Sequence, residues 1–250
     1  MIIKNKKELE ILRDGGKRLA AILVEVSEAA KEGVTTKELD ELAEKLILKV
    51  GGKPSFKGYK VYGAPTAYPG TLCVSINEEV VHGIPNGRAL KNGDVVGLDI
   101  GMRYDGLFTD TAMTLLVGGG KNKLIDVTKK SLEIGIAQVR VGVRVGDIGF
   151  AIQQCLEKED FGVVRELVGH GVGSAVHEEP EIPNWGHRGD GPELREGEVI
   201  AIEPMATEGN FKVKLAKDGW TWLTRDGSRS AHFEHTMVVT KNGVEVLTKV

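Results

Sequence analysis

The sequence predicts a mixed α/β (α+β) fold built from two similar halves around one core, and three observations carry that expectation. Apolar residues recur at helical spacing near the start and in the middle of the chain. Short apolar runs rich in β-branched residues, bounded by turn residues, fill much of the rest. Finally, segments of the first half recur in the second. Gly33-Val34-Thr35-Thr36-Lys37-Glu38-Leu39 is echoed by Gly142-Val143-Arg144-Val145-Gly146-Asp147-Ile148, each opening a helix. Leu90-Lys91-Asn92-Gly93-Asp94-Val95-Val96-Gly97-Leu98-Asp99 is echoed by Leu194-Arg195-Glu196-Gly197-Glu198-Val199-Ile200-Ala201-Ile202-Glu203, and both copies end on a carboxylate. Asp110-Thr111 matches Glu234-His235, with Met113 and Met237 three residues on, and His82-Gly83 resembles His170-Gly171. The expectation is one domain over 1–250, with halves of roughly 1–120 and 121–250 about a pseudo-two-fold axis. A site at their junction would draw equivalent carboxylates from both.

Element by element, Lys7 to Lys31 places Leu9, Leu12, Leu19, Leu23 and Val26 on one helical face despite Gly15-Gly16. A second helix starts near Thr35, which forms a capping box with Glu38, and stops at Gly51-Gly52. Turn residues and aromatics follow from Ser55 to Pro85, with a short strand at Leu72 to Ile76. Val95 to Ile100 and Leu107 to Val117 read as a hairpin, and Asn122 to Arg140 and Asp147 to Glu159 as helices. The last hundred residues are mainly strand and loop, with Val199 to Met205 and Phe233 to Thr240 the clearest strands.

The composition narrows the class. A chain of 250 residues, 41% hydrophobic and 28% charged, is ordinary for a globular protein with a sizeable core. Its net charge of -3, from 33 basic and 36 acidic residues, gives no footprint for nucleic acid or an anionic membrane. Cys73 and Cys155 have no metal-type spacing and are too few for a disulfide framework, so a reducing compartment is expected. Met1 to Lys6 turns charged at once, without an apolar signal core, and no run approaches the roughly 18 apolar residues of a membrane span. A cytoplasmic monomer is the expectation. Lys4, Lys6 and Lys7 read as a solvated face, although a transient ribosome contact through them is the alternative.

Asp99 and Asp110 stand inside otherwise apolar strands. With Tyr104 and Asp105 at the centre of the intervening turn, the two would face each other directly, with Cβ atoms about 5 Å apart. Two buried, unpaired carboxylates repel at a cost of several kcal/mol, and a cation between them removes the conflict. Alone, the pair also suits a solvent-facing strand. Glu203, in the apolar run Val199 to Met205, and Glu234, before Thr236 to Thr240, supply matching carboxylates from the second half, and four such groups suit a dinuclear site. His170, in Gly169-His170-Gly171-Val172-Gly173, has flanking glycines that permit close backbone approach. An imidazole among oxygens favours Mn, Fe, Co or Zn over Ca or Mg. His177 and His82 are further polar candidates, whereas His187, His232 and His235 have no comparable context.

Val81-His82-Gly83-Ile84-Pro85, the Asp99/Asp110 hairpin, Gly169-His170-Gly171-Val172-Gly173, His177-Glu178-Glu179-Pro180, Ala201-Ile202-Glu203-Pro204-Met205 and Phe233-Glu234-His235-Thr236 occur in this order over nearly the whole chain. In this set the sequence resembles the type I, bacterial-type methionine aminopeptidases. The resemblance implies the pita-bread fold, in which two related halves flank a pseudo-two-fold axis and a curved antiparallel sheet is covered by helices. It implies two divalent metal ions, one held by Asp99, Asp110 and Glu234 and the other by Asp110, His170, Glu203 and Glu234. It further implies metal-activated water adding to the first peptide bond of a nascent polypeptide, with Glu203 as general base and His177 and His82 contacting substrate and stabilising the tetrahedral intermediate. A methionine pocket of Tyr59, Tyr68, Cys73 and Trp220 is implied by the same alignment. Departures are Val176, where Phe is usual, Phe56, where some relatives carry a smaller residue, and an insertion over Lys60 to Ala67. These put pocket shape and the tolerated second residue in question. Two rivals remain: a prolidase or proline aminopeptidase, which usually carries a substantial N-terminal domain, and a non-catalytic peptide-binding module, which typically lacks metal ligands.

Overall fold

Helix starts follow from short-range capping. Asn5 Oδ1 accepts from Glu8 N (3.0 Å) and opens α1, Lys6–Ala29. Thr35 and Glu38 form the expected capping box at the head of α2, Thr36–Lys49. Asn122 Oδ1 accepts from Ile125 N (3.1 Å) at the start of α3, Lys123–Gln138. At α4, Val145–Glu157, Asp147 Oδ2 accepts from Arg144 N (3.2 Å), but Arg144 has no side-chain acceptor with which to return the bond. The computed structural model describes residues 1–61 and 63–249.

Fifteen strands complete the described fold: β1 Lys53–Pro54, β2 Leu72–Ile76, β3 Glu79–Val81, β4 Val95–Tyr104, β5 Leu107–Leu116, β6 Gly162–Val163, β7 Gly169–Gly171, β8 Glu178–Ile182, β9 Val199–Ile202, β10 Met205–Thr207, β11 Val213–Leu215, β12 Trp222–Thr224, β13 Ser230–His232, β14 Glu234–Thr240 and β15 Gly243–Val246. The main sheet is antiparallel. β2 flanks β4, which pairs with β5; β5 meets β14, β14 pairs with β9, and β9 pairs with β7. About the β5–β14 seam, β4 and β2 on one side match β9 and β7 on the other, while β1 on β4, β8 on β7 and β15 on β14 have no such match. Loop bonds repeat as well: Gly33 N donates to Leu90 O and Gly142 N to Leu194 O, both at 2.9 Å.

Each half keeps an apolar layer between its helices and the sheet. Leu19, Leu23, Leu39 and Ile47 pack on Leu72, Leu98 and Ile100 in one half. Leu132, Ile148 and Ile152 pack on Ile200, Ile202 and Met237 in the other. Gly15-Gly16 is accommodated in α1 because a Cβ at Gly16 would lie 2.6 Å from Leu247 O, so the helix can sit tightly on the chain end. No described helix is long and apolar enough to cross a membrane.

Three local expectations need correction. The hairpin turns on Asp105-Gly106, with φ of 45° and 92°, not on Tyr104-Asp105; Tyr104 pairs with Leu107 and Asp99 with Ala112. Two successive left-handed residues suit the right-handed twist of a two-residue hairpin, which is why Asp-Gly wins the turn. The run Val199 to Met205 is not one strand: β9 ends at Ile202 and β10 begins at Met205, with Glu203-Pro204 between. Proline lacks the N–H needed to continue a ladder. The likeness of His82-Gly83 to His170-Gly171 is not a structural equivalence. His170 lies in β7 opposite Ala201, so its counterpart by register is Ser75 of β2, opposite Gly97.

Candidate metal centre

The middle of the sheet gathers the carboxylates on one face. Asp99, Ala112 and Glu234 are in register across β4, β5 and β14, and Asp110 pairs with Gly101 one step along the same face. Asp99 and Asp110 are therefore diagonal neighbours, not opposed. The small Ala112 and Gly101 leave room between the acids. Glu203 joins them from the break after β9, where Asn184 Nδ2 donates to its backbone carbonyl (3.0 Å).

His170 enters from β7. Its Nδ1 lies 2.9 Å from Gly171 O, a bond that places the proton on Nδ1 and leaves the Nε2 lone pair free. Nε2 faces Glu203 Oε1 at 3.6 Å and Glu234 Oε1 at 3.8 Å. The flanking glycines are dictated by the neighbouring backbone. A Cβ at Gly169 would fall 2.4 Å from Ala201 O, and one at Gly171 would fall 2.2 Å from Glu179 O.

Donor atoms from Asp99, Asp110 and Glu234 lie within 4.8 Å of one another, as do those of His170, Glu203 and Glu234, and those of Asp110, His170 and His177. Asp99 Oδ1, Asp110 Oδ1 and Glu234 Oε1 are buried with no hydrogen-bond partner. Buried polar atoms left unsatisfied are costly, so three converging orphan oxygens fit a cation site. The carboxyls respond in opposite directions. Burial pushes Asp99 up to about 7, and burial with neighbouring carboxylates drives Asp110 and Glu234 well above the usual range. Burial also opposes ionisation of Glu203, but His232, His170 and His177 outweigh it and hold this carboxyl below its ordinary value. Glu203 is thus the member most readily ionised.

Beside the acids lies a cavity of about 250 Å³. Phe56, Tyr59, Tyr68, Cys73 and Trp220 form its apolar wall, and Val176 packs in the same cluster. Trp220 Nε1 donates to Thr66 O (3.1 Å), so the Lys60 to Ala67 segment helps to fix that wall; Tyr62 within it lies outside the described residues. His177 stands at the mouth, its Nδ1 2.8 Å from Tyr59 Oη and its ring edge-on to His170 at 4.4 Å. Although His177 is partly open to solvent, the cleft walls dominate, and desolvation lowers it to about 4. His82, in the left-handed region at φ 60°, also lines the cavity and is lowered to about 4 by burial. Both imidazoles are neutral near pH 7.

All candidates named from sequence therefore border one cleft. One neighbour was missed. His232 is buried, and its Nε2 lies 3.4 Å from Glu203 Oε2. The signal was parity, since residues 232 and 234 point to the same side of an extended chain. His235 points away and meets Thr248 Oγ1 (3.0 Å).

Residues 10–241 match Metallopeptidase family M24. The chain belongs to this family. Its M24 relatives include methionine aminopeptidase 1 of Bacillus subtilis, 46% identical over 253 residues with both chains fully covered. Among solved M24-like structures, the methionine aminopeptidase of Thermotoga maritima superposes with a TM-score of 0.94 at 44% identity, again covering 100% of each chain. The prolidase of Pyrococcus horikoshii shares the fold, with a TM-score of 0.78 at 23% identity, and the match spans 100% of this chain but 64% of that one. Membership of M24 makes the protein a metal-dependent hydrolase, and the orphan oxygens supply the acidic donors that such a metal needs.

Proposed function

We propose that the protein removes N-terminal methionine from nascent proteins and peptides, preferentially where the second residue is small. The observation that carries this reading is one cavity in which the carboxylate–imidazole cluster faces an apolar, aromatic wall. Aromatic walls and the Cys73 thiol suit a thioether, whose polarisable sulfur favours such surroundings. Relatives named as methionine aminopeptidases over the full chain support the same choice.

In this reading Asp99, Asp110 and Glu234 hold one divalent ion, and Asp110, His170, Glu203 and Glu234 hold the other, with Asp110 and Glu234 shared. The mixed oxygen and nitrogen donors suit Mn, Fe, Co or Zn. When bound, the ions supply Lewis acidity to the first peptide carbonyl and bring the pKa of water towards neutrality. Glu203, already ionised, takes up the proton released as water adds and passes it to the leaving amine. His177 and His82, neutral and close to the cluster, each donate one N–H to the oxygen on which charge develops. Tyr59 fixes the His177 ring, while Tyr59, Tyr68, Cys73 and Trp220 seat the methionine side chain. A cytoplasmic location, where nascent chains emerge, belongs to the same reading.

The test is peptide hydrolysis by protein loaded with manganese or cobalt, across a Met-Xaa series and an Xaa-Pro series. Release of methionine that declines as the second residue grows is expected. Preference for Xaa-Pro would instead make the protein a prolidase, and a chain that binds no ion at any concentration would make it a peptide-binding module.

A further inference from the structure

Glu203 sits between two imidazoles. Its Oε1 faces His170 Nε2 at 3.6 Å and its Oε2 faces His232 Nε2 at 3.4 Å. His232 is 3% exposed, and its buried Nε2 has no polar partner other than this Glu203 oxygen. We infer that His232 is a positioning residue for Glu203, turning one carboxylate oxygen towards the ligand cluster by holding the other.

The backbone is built for this task. Thr114 Oγ1 donates to His232 O (2.7 Å) and accepts from His232 N (2.9 Å), so the first half of the chain clamps the residue on both sides. Met205 pairs with His232 across β10 and β13, which sets the imidazole beside the Glu203-Pro204 break. Because Glu203 has left the strand ladder, its side chain lacks the ladder's constraint on direction, and the imidazole supplies it. His232 is not itself a ligand. It belongs to none of the three donor groups that converge within 4.8 Å, and Glu203 is the carboxylate it faces. Groups that orient a metal-binding carboxylate act through affinity and geometry rather than through contact with substrate.

This inference rests on Glu203 being a metal ligand, as proposed above. The experiment is cobalt titration of wild-type, His232→Leu and His232→Gln proteins, read by the visible d–d absorption, with thermal melts as the folding control and methionine release in parallel. The leucine variant is expected to bind cobalt about 10- to 100-fold more weakly, with an altered absorption band, a lower kcat and a KM within threefold. Glutamine, whose amide N–H can reach the same oxygen, restores affinity and kcat to within a few-fold. Unchanged cobalt affinity and spectrum in His232→Leu overturn the inference, as does a folded His232→Gln no better than leucine. If His232→Leu does not fold, His232→Asn, too short to reach Glu203, takes its place with the same expectations. The cobalt isotherm reports on His232 even if wild-type protein releases no methionine, so failure of the activity and failure of the inference are distinguishable.

Discussion

The two arms that meet at the β5–β14 seam carry matching carboxylates on unlike frames. In the first half, Asp99 and Asp110 ride on β4 and β5, a hairpin of two ten-residue strands with an unbroken ladder. In the second, Glu203 falls in the gap between β9 and β10, and Phe233 separates β13 from β14. The nitrogen groups are as unequal. His170 and His232 both come from the second half, and the register counterpart of His170 is Ser75, whose Oγ merely accepts from Gly83 N (3.1 Å). The difference teaches a division of labour: the regular half supplies two acids from one ladder and His82, and the interrupted half supplies Glu203 and Glu234 with His170, His177 and His232.

The severest way to break this comparison is to remove a carboxylate shared by both donor groups. Asp110→Asn and Glu234→Gln are each expected to lower kcat/KM for methionine release by about 10³-fold or more, the loss of several kcal/mol of charge stabilisation. A large gap between them would show that the two arms do not contribute alike. Asp99 joins only the group formed with Asp110 and Glu234. Asp99→Ala should therefore halve the metal content, from two ions per chain to one, in elemental analysis after dialysis. His177 converges with Asp110 and His170 but belongs to neither proposed ligand set, so His177→Ala is expected to lower turnover by about 10²-fold at unchanged metal content; an equal loss of metal would make it a ligand.

Acidity sharpens the same picture. In the metal-free protein Asp99 is raised to about 7 by burial, so between the ordinary carboxylate range and that pH the folded cluster retains a proton that an unfolded chain would release. A cation must displace it. Apparent metal affinity should rise with pH across neutrality, by about tenfold per unit for each proton displaced. A pH-independent isotherm would contradict this. The smallest contrast lies at the helix starts. Thr35→Ala removes a complete capping box and should cost about 1 kcal/mol in denaturant unfolding. Arg144→Ala at the equivalent position should cost less, because Asp147 still accepts from the backbone.

Much of the architecture was legible because it is locally encoded. Capping residues mark α1, α2 and α3, and the apolar run at Leu72 to Ile76 is a strand over those very residues. The convergence of Asp99, Asp110, His170, Glu203 and Glu234 was foreshadowed by carboxylates embedded in apolar strands, since such placement is tolerable only with company. What escaped depended on details that periodicity averages away. Hairpin register hung on one residue, and the Asp-Gly pair was the stronger turn signal. Pro204 marked a break inside an apparently continuous strand. His232 was passed over because its own neighbours are unremarkable, and only its parity with Glu234 ties it to the cleft.

The three orphan oxygens also bear on the stability of the fold. Buried without partners, they cost the metal-free fold stability, and whatever binds only the folded form stabilises it by mass action. Added divalent ion should therefore raise the melting temperature of the folded chain, and chelation should lower it.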